Sequence, residues 1–369
     1  MKSIYLTVTN DLSYDQRMIR ICTSLADAGY QVTLVGRLRP QSKPLRSLPF
    51  QQKRLRCIFA KGKLFYLEYN LRLFLFLLTR KYDLLCAIDL DTMLPAFFCS
   101  RLKRVPLIYD AHEYFTELPE VIDRPLVKKV WAAVADFTIP RVKYAYTVCE
   151  SLAEIFEQQY GTPFSVIRNV PFAQQAIARP TDQPKILLYQ GALNEGRGLE
   201  QLIEAMQQID HAELWLAGEG DLSAELRERT QQLGLEDKVR FWGYLQPDEL
   251  KEVTLQAHIG LNLLKNKGLN YYYSLANKAF DYLQAGIPSI HMNFPEYQKI
   301  NQKDEVFLLI DNLEIDTIAR AIKELIADQV LYNQLRKNCL KVRDDYTWEA
   351  EEKKLQEVYQ RACPLKPEP

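Results

Sequence analysis

Short apolar runs rich in β-branched and aromatic residues alternate along this chain with segments whose apolar positions recur at helical spacing. In the first half the strand-like runs are Ile4–Thr9, Gln31–Gly36, Asp83–Ile88, Pro106–Tyr109, Tyr144–Val148 and Phe164–Arg168. The series restarts at Lys185–Tyr189 and continues through Glu213–Ala217, Val239–Trp242, Ile259–Leu264, Ser289–Met292 and Val306–Ile310. Strands separated by helices predict parallel sheets built of βα units, and the restart predicts two doubly wound α/β domains. Near residues 178–184 the pattern lapses into proline and polar residues, as an interdomain linker does. The expected organisation is a first domain over 1–177, a linker at 178–184, a second domain over 185–345 and a terminal segment over 346–369.

Composition agrees with that division. A chain of 369 residues with 47% hydrophobic content suits two ordinary domains better than one core. Its 47 basic and 47 acidic residues cancel, so no overall field favours nucleic acid. The balance conceals a tract from Arg37 to Lys63 that holds many basic residues and no acidic one. Such a tract reads either as a solvated loop or as a peripheral contact with anionic lipid or a lipid-diphosphate ligand. The run Leu71–Leu78 is far shorter than the roughly 20 apolar residues of a spanning helix. It reads as a helix packed on a sheet, with a membrane-resting surface as the other reading. Seven cysteines show no metal-ligand spacing, and the first strand begins within a few residues of Met1 without the apolar core of a signal peptide. The expected location is therefore the cytoplasm, with a peripheral position at the inner face of the membrane through 37–63.

Candidate chemistry concentrates in two segments of the second half. In Tyr189-Gln190-Gly191-Ala192-Leu193-Asn194-Glu195-Gly196-Arg197-Gly198 a strand ends in glycines and a helix opens near Leu199. Glycines let backbone approach a ligand, helix N-termini offer unpaired N–H donors, and Arg197 adds a forked cation for phosphate oxygens. The same residues also fit a tight turn with an exposed arginine. In Leu275-Ala276-Asn277-Lys278-Ala279-Phe280-Asp281, followed by Ala285-Gly286-Ile287-Pro288, a helix start near Ala276 aims amides at an anion, with Lys278 close by. Asp281 lies one turn beyond Asn277 on the same face, where it reaches a hydroxylated group beside that anion. A solvated helix carboxylate is the plainer reading of Asp281 alone.

These segments resemble family 4 of the retaining glycosyltransferases, the group 1 glycosyl transferases. Gly191–Ala205 is similar to the family's glycine turn and helix, and Ala276–Pro288 to its donor-binding helix. Leu216-Ala217-Gly218-Glu219-Gly220 and Val239–Leu245 resemble the two strand ends between them, in matching order. In the first half, Ile108–Phe115 occupies the place of the family's strand-end histidine, His112.

The resemblance implies two Rossmann-like domains of the GT-B type facing across a cleft, acceptor on the first and donor on the second. It implies donor binding by Gly191, Arg197, Tyr244, Leu245, Tyr273, Ala276, Asn277, Lys278 and Asp281, with His112, Arg197 and Lys278 in catalytic roles. The co-substrate is a nucleoside-diphosphate sugar, with no further cofactor, and the partner is a glycan or lipid-linked acceptor. Two positions depart from the family pattern: Asp281 and Tyr273 stand where it usually has two glutamates, and Ala192 where an arginine is frequent. The terminal segment from Tyr346 resembles the helix that crosses back onto the first domain.

Asp89-Leu90-Asp91 is a D-x-D, whose hard oxygens suit Mg²⁺ or Mn²⁺ in another glycosyltransferase architecture. It closes a strand of a doubly wound domain here, so Asp89 and Asp91, with Glu113, are taken as acceptor-side lining and no metal is expected. A sugar-nucleotide epimerase of the same fold and a degenerate nucleotide-sugar-binding subunit are the rival readings.

Overall fold

The computed structural model describes residues 1–13, 15–175, 177, 178 and 184–365. It divides into two compact units, Met1–Asn169 with Glu351–Pro369, and Val170–Ala350. Of the segment 178–184 expected as a linker, 179–183 lie outside the described residues.

The first unit holds a seven-stranded sheet of β1 (Ser3–Thr7), β2 (Gln31–Leu38), β3 (Gln51–Arg56), β4 (Leu84–Ile88), β5 (Leu107–Ala111), β6 (Tyr144–Thr147) and β7 (Phe164–Val166). Their order is β3-β2-β1-β4-β5-β6-β7, and every pairing is parallel. The second unit holds β8 (Lys185–Gln190), β9 (Ala212–Ala217), β10 (Val239–Gly243), β11 (Ile259–Asn262), β12 (Ser289–Met292) and β13 (Phe307–Ile310). Their order is β10-β9-β8-β11-β12-β13, again all parallel. Each sheet reverses its direction of growth once, between β1 and β4 and between β8 and β11. At such a reversal the connections leave to opposite sides, opening a crevice at the carboxyl ends of the strands.

Central strands are mostly apolar because helices cover both faces, and β4 and β5 are buried at every position, Asp110 of β5 included. β3 is the exception, and the hydrophobic pattern does not reveal it. Its sequence, Gln51-Gln52-Lys53-Arg54-Leu55-Arg56, lies on the sheet edge and pairs with β2 alone, so charged side chains are tolerated there and deter edge-to-edge association. The basic tract 37–63 is therefore partly a strand, and several of its cations are engaged, Arg46 with Ser13 O among them. Arg54 donates to Asp11 O, Lys43 O and Ser13 Oγ, while Arg37 donates to Ala60 O and lies over the Phe65 ring.

Helix Asn277–Ala285 is fixed from both sides. Ala279, Phe280 and Leu283 join the larger apolar cluster of the second unit, while Tyr282 and Ala285 join a smaller one with Ile186, Leu188 and Trp215. Helix Trp348–Ala362 begins on a buried Trp348 whose N–H donates to Pro171 O. From Glu351 onward it belongs to the first unit, where the Glu351 carboxylate accepts from the Arg168 N–H and guanidinium.

Candidate functional site

In the second unit β8 runs out at Gln190 and the chain passes through Gly191 at φ +129. A Cβ on Gly218, itself at φ +150, would lie 1.9 Å from Gly191 O, so these two turns meet only because residue 218 is glycine. The Lys278 ammonium fills the space above: its Nζ lies 3.3 Å from where a Cβ on Gly191 would be and 3.6 Å from the Tyr189 ring centroid. Lys278 is only 8% exposed. Burial, then the nearby Arg197, push its pKa well below the ordinary lysine value, and Asp281 offsets this in part. The Arg197 guanidinium sits over the Tyr271 ring at 5.3 Å, and its Nε is buried without a hydrogen-bond partner. Among the described residues no carboxylate forms an ion pair with either cation.

The start of helix Asn277–Ala285 points into the same place. Its N-cap is Ala276, which offers no side-chain cap, so the first amides are left to an external acceptor. A polar chain beneath holds that start in position. The Ala276 N–H donates to Tyr297 Oη, which accepts also from Asn262 Nδ2. Asn262 Nδ2 contacts His291 Nδ1 at 3.1 Å, and His291 Nε2 lies 2.8 Å from Ser289 Oγ. Burial first and Lys278 second hold His291 down at about 3, so it is a neutral acceptor at Nδ1. One turn into the helix, Asp281 Oδ2 accepts from Gln190 Nε2 at 2.7 Å, and Gln190 Oε1 accepts from the Thr254 hydroxyl. Two cations, an uncapped helix and a steadied carboxylate thus converge at the β8/β11 reversal. That combination suits a dianion joined to a hydroxylated group.

Of the expected donor-binding residues, Gly191, Arg197, Ala276, Lys278 and Asp281 come together here, and Asn277 is exposed at the first helical position. Tyr273 ends the short helix Leu269–Tyr272 and packs against Tyr272. Tyr244 is exposed after β10, whereas the half-buried Leu245 packs on the smaller core cluster. Tyr189, Gln190 and Tyr271 also form the site. Tyr189 and Gln190 read as strand residues, and only the run of three tyrosines signalled Tyr271.

At the β1/β4 reversal of the first unit the charges face one another. Asp110, fully buried at the end of β5, accepts from Arg17 Nη2 at 3.2 Å and lies 2.9 Å from His112 Nε2. Asp89 leaves β4 at φ 54 and ψ 174, an extended positive-φ conformation that costs about 1–3 kcal/mol, and its carboxylate accepts the His112 N–H. Its other oxygen stands 3.8 Å from His112 Nδ1. Asp91 accepts from the Thr9 hydroxyl at 2.5 Å. Burial would raise the Asp110 pKa, but His112 and Arg17 carry it below the usual carboxylate range. Burial would lower that of His112, yet Asp110 above all raises it, so the imidazolium is favoured. Asp91 is pushed up to about 7, chiefly by burial, with Glu113 adding to the rise. The D-x-D carboxylates are thus turned to different partners, and Arg17, distant in sequence, is the participant that no motif announces.

The family model described as "Glycosyl transferases group 1" matches residues 172–342, and that described as "Glycosyl transferase 4-like domain" matches 15–173. The chain belongs to the group 1 glycosyl transferases. Among similar proteins, an uncharacterised glycosyltransferase of Methanocaldococcus jannaschii is 26% identical over 50% of this chain and 47% of its own length. A lipopolysaccharide core biosynthesis glycosyltransferase of Rhizobium meliloti is 26% identical over 42% of this chain and 43% of its own. The matched stretch is therefore under half the length of these curated relatives. Anabaena HepE, solved in complex with UDP and glucose, superposes with a TM-score of 0.77 at 15% identity, covering 98% of this chain and 100% of HepE. The two units thus have the GT-B fold of this group.

Proposed function

We propose that this group 1 glycosyl transferase moves a sugar from a nucleoside-diphosphate donor to a hydroxyl of a glycan or lipid-linked acceptor, in polysaccharide or lipopolysaccharide synthesis. The observation that carries the reading is the buried Lys278 beside Arg197 at an uncapped helix start, two cations whose counter-charge Asp281 supplies only in part. A donor diphosphate supplies the rest. As the bond from the sugar to the diphosphate breaks, negative charge grows on the leaving oxygens, where Lys278, Arg197 and the amides of Asn277 and Lys278 stabilise it. Asp281, steadied by Gln190, takes the ribose hydroxyls, and Tyr273 and Tyr244 border the donor. The HepE complex with UDP and glucose and the lipopolysaccharide-core relative support this choice of substrates.

Transfer with retention, His112 serving the sugar and Asp89, Asp91 and Glu113 the acceptor side, completes the proposal. No metal is assigned, because protein cations take the diphosphate, and the activity is placed at the cytoplasmic side of the membrane. No described helix is long and apolar enough to cross a membrane.

A panel of nucleotide sugars, with and without a lipid-linked glycan acceptor, tests the reading through release of nucleoside diphosphate. Acceptor-dependent release that persists in EDTA is expected. Interconversion of the nucleotide sugar without an acceptor would favour an epimerase. Donor binding without turnover under any acceptor would favour a binding subunit.

A further inference from the structure

Helix Gly62–Leu78 buries Phe65, Tyr69, Leu73 and Leu77 against the first unit. Its opposite side should then be polar, as on a surface helix of ordinary pattern. Instead Leu64, Leu67, Leu71 and Leu75 are exposed at 55%, 69%, 57% and 55%. Steps of three and four residues place them in one stripe about 16 Å long, at about 1.5 Å per residue.

The stripe continues onto neighbouring helices. Met93–Lys103 exposes Phe98 and Leu102, and Pro125–Thr138 exposes Leu126, Val130 and Phe137. Phe98 and Phe137 rings are 6.2 Å apart, and Tyr66 on the first helix meets Trp131 on the third at 5.5 Å. These contacts pack the three helices together, and the apolar side chains they expose are more than scattered leucines.

Cations border it. Lys61 and Lys63 stand at the head of the first helix and Arg80 and Lys81 beyond its end, while Arg101, Arg104, Arg124 and Lys129 lie on or beside the other two, all exposed. The exposed acids Glu120, Asp123 and Asp136 are outnumbered. Glu68 is taken up by the Ile58 and Phe59 amides and by Arg72. A recess of about 170 Å³ opens beside Phe97, lined also by Ser100, Arg101, Arg141, Lys143 and Tyr144. It lies by the amino ends of β5 and β6, the edge opposite His112.

We propose that this face rests on an anionic phospholipid membrane, with its leucine and phenylalanine side chains at the acyl boundary and its lysines and arginines among the headgroups. Apolar burial and cationic attraction act together only at such a surface. A second copy of this chain is disfavoured as the occupant, because self-association would bring two basic borders together. The contact is thereby assigned to the three helices, to which the tract 37–63 contributes Lys61 and Lys63. The inference is independent of the donor chemistry of the second unit.

Full-length protein is sedimented with vesicles of phosphatidylcholine alone or with about 30% phosphatidylglycerol, at low and high salt. Binding is expected only with the anionic lipid, weakening with salt. Leu67→Glu/Leu71→Glu is expected to reduce it at least about tenfold, with unchanged UDP binding and thermal midpoint reporting a folded protein. Leu67→Ser/Leu71→Ser is the milder variant should the first fail to fold. Lys61→Glu/Lys63→Glu is expected to lose part of the binding. No binding of the wild type to anionic vesicles overturns the proposal, as does binding that the leucine variants leave intact. A concentration-dependent dimer that the leucine variants abolish overturns it in favour of a second copy.

Discussion

The two sheet reversals collect charge in opposite ways. At β1/β4, Asp110 is paired with both Arg17 and His112, so opposite charges already meet there. At β8/β11, Lys278 and Arg197 share a pocket with aromatic rings and no paired carboxylate among the described residues. A buried cation without an ion pair is unfavourable, so the second site gains most from an incoming anion, whereas at the first the cations already face a carboxylate. The difference separates groups that position from groups that bind. His112 is held at Nε2 by Asp110 and faces Asp89 with Nδ1, so both ring nitrogens are already turned to carboxyl groups.

Removing a member of the paired cluster should have the largest effect. Arg17 and Asp110 are 5% and 0% exposed, so Arg17→Met leaves a buried carboxylate with one cation, His112, in place of two. Breaking a buried pair in this way costs about 3–5 kcal/mol, to be read from denaturant unfolding of the first unit. A loss under about 1 kcal/mol, the level of a surface pair, would dissolve the contrast between the sites.

The opposite is expected of Lys278→Met. Stability should hold or rise, because a desolvated ammonium is exchanged for an apolar side chain of similar length. UDP affinity should fall by about 1.5–3 kcal/mol, the worth of a hydrogen bond to a charged group. Arg197→Ala should weaken UDP by a similar amount. Titration calorimetry and thermal melting separate the two quantities, and a destabilised Lys278→Met with intact UDP binding would make the lysine structural.

Alkaline pH sharpens the comparison further. The Lys278 pKa is depressed in the folded chain, so between its folded and unfolded values the unfolded chain holds more protons and stability rises with pH. A bound diphosphate restores the charge, so affinity is full below the folded value and declines as pH rises through it, by at most about tenfold per unit. His112 has the opposite sign. Its folded pKa is raised, so its contribution to stability is complete below the unfolded value and is lost as pH rises through the folded one. UDP titrations across pH, in buffers of different ionisation heat, should show proton uptake that Lys278→Met abolishes.

How far the sequence revealed this depends on the range of each signal. Parallel strands under two layers of helix are continuous apolar runs, so twelve of the thirteen could be read, and the edge strand β3 could not because its one-sided pairing tolerates Lys53, Arg54 and Arg56. Gly191, Arg197 and the Ala276–Asp281 helix start were legible because turns and caps are local. Partners set by tertiary packing were not. Nothing near Arg17 points to Asp110, 93 residues away, and nothing in Lys278 foretells the Tyr189 ring beneath it. The alternating burial of helix Gly62–Leu78 was hidden too, since leucine on both faces reads as a core helix.

The smallest effect concerns the one carboxylate of the binding site. Asp281 accepts from a neutral donor: the Thr254 hydroxyl donates to Gln190 Oε1, and Gln190 Nε2 donates to Asp281 Oδ2. An amide fixes the rotamer without cancelling the charge, so the carboxylate keeps its strength as an acceptor for ligand hydroxyls. Asp281→Asn preserves shape, and its amide oxygen can still accept from Gln190, so folding should change little. Its bond to a ribose hydroxyl becomes an ordinary neutral one, and UDP should bind about 0.5–1.5 kcal/mol more weakly. For 2′-deoxy-UDP the hydroxyl is missing already, and wild type and variant should bind alike if Asp281 serves that oxygen. Equal losses on both nucleotides would instead place the carboxylate's role in its electrostatic support of Lys278, and would shift the Lys278→Met comparison rather than the ribose contact.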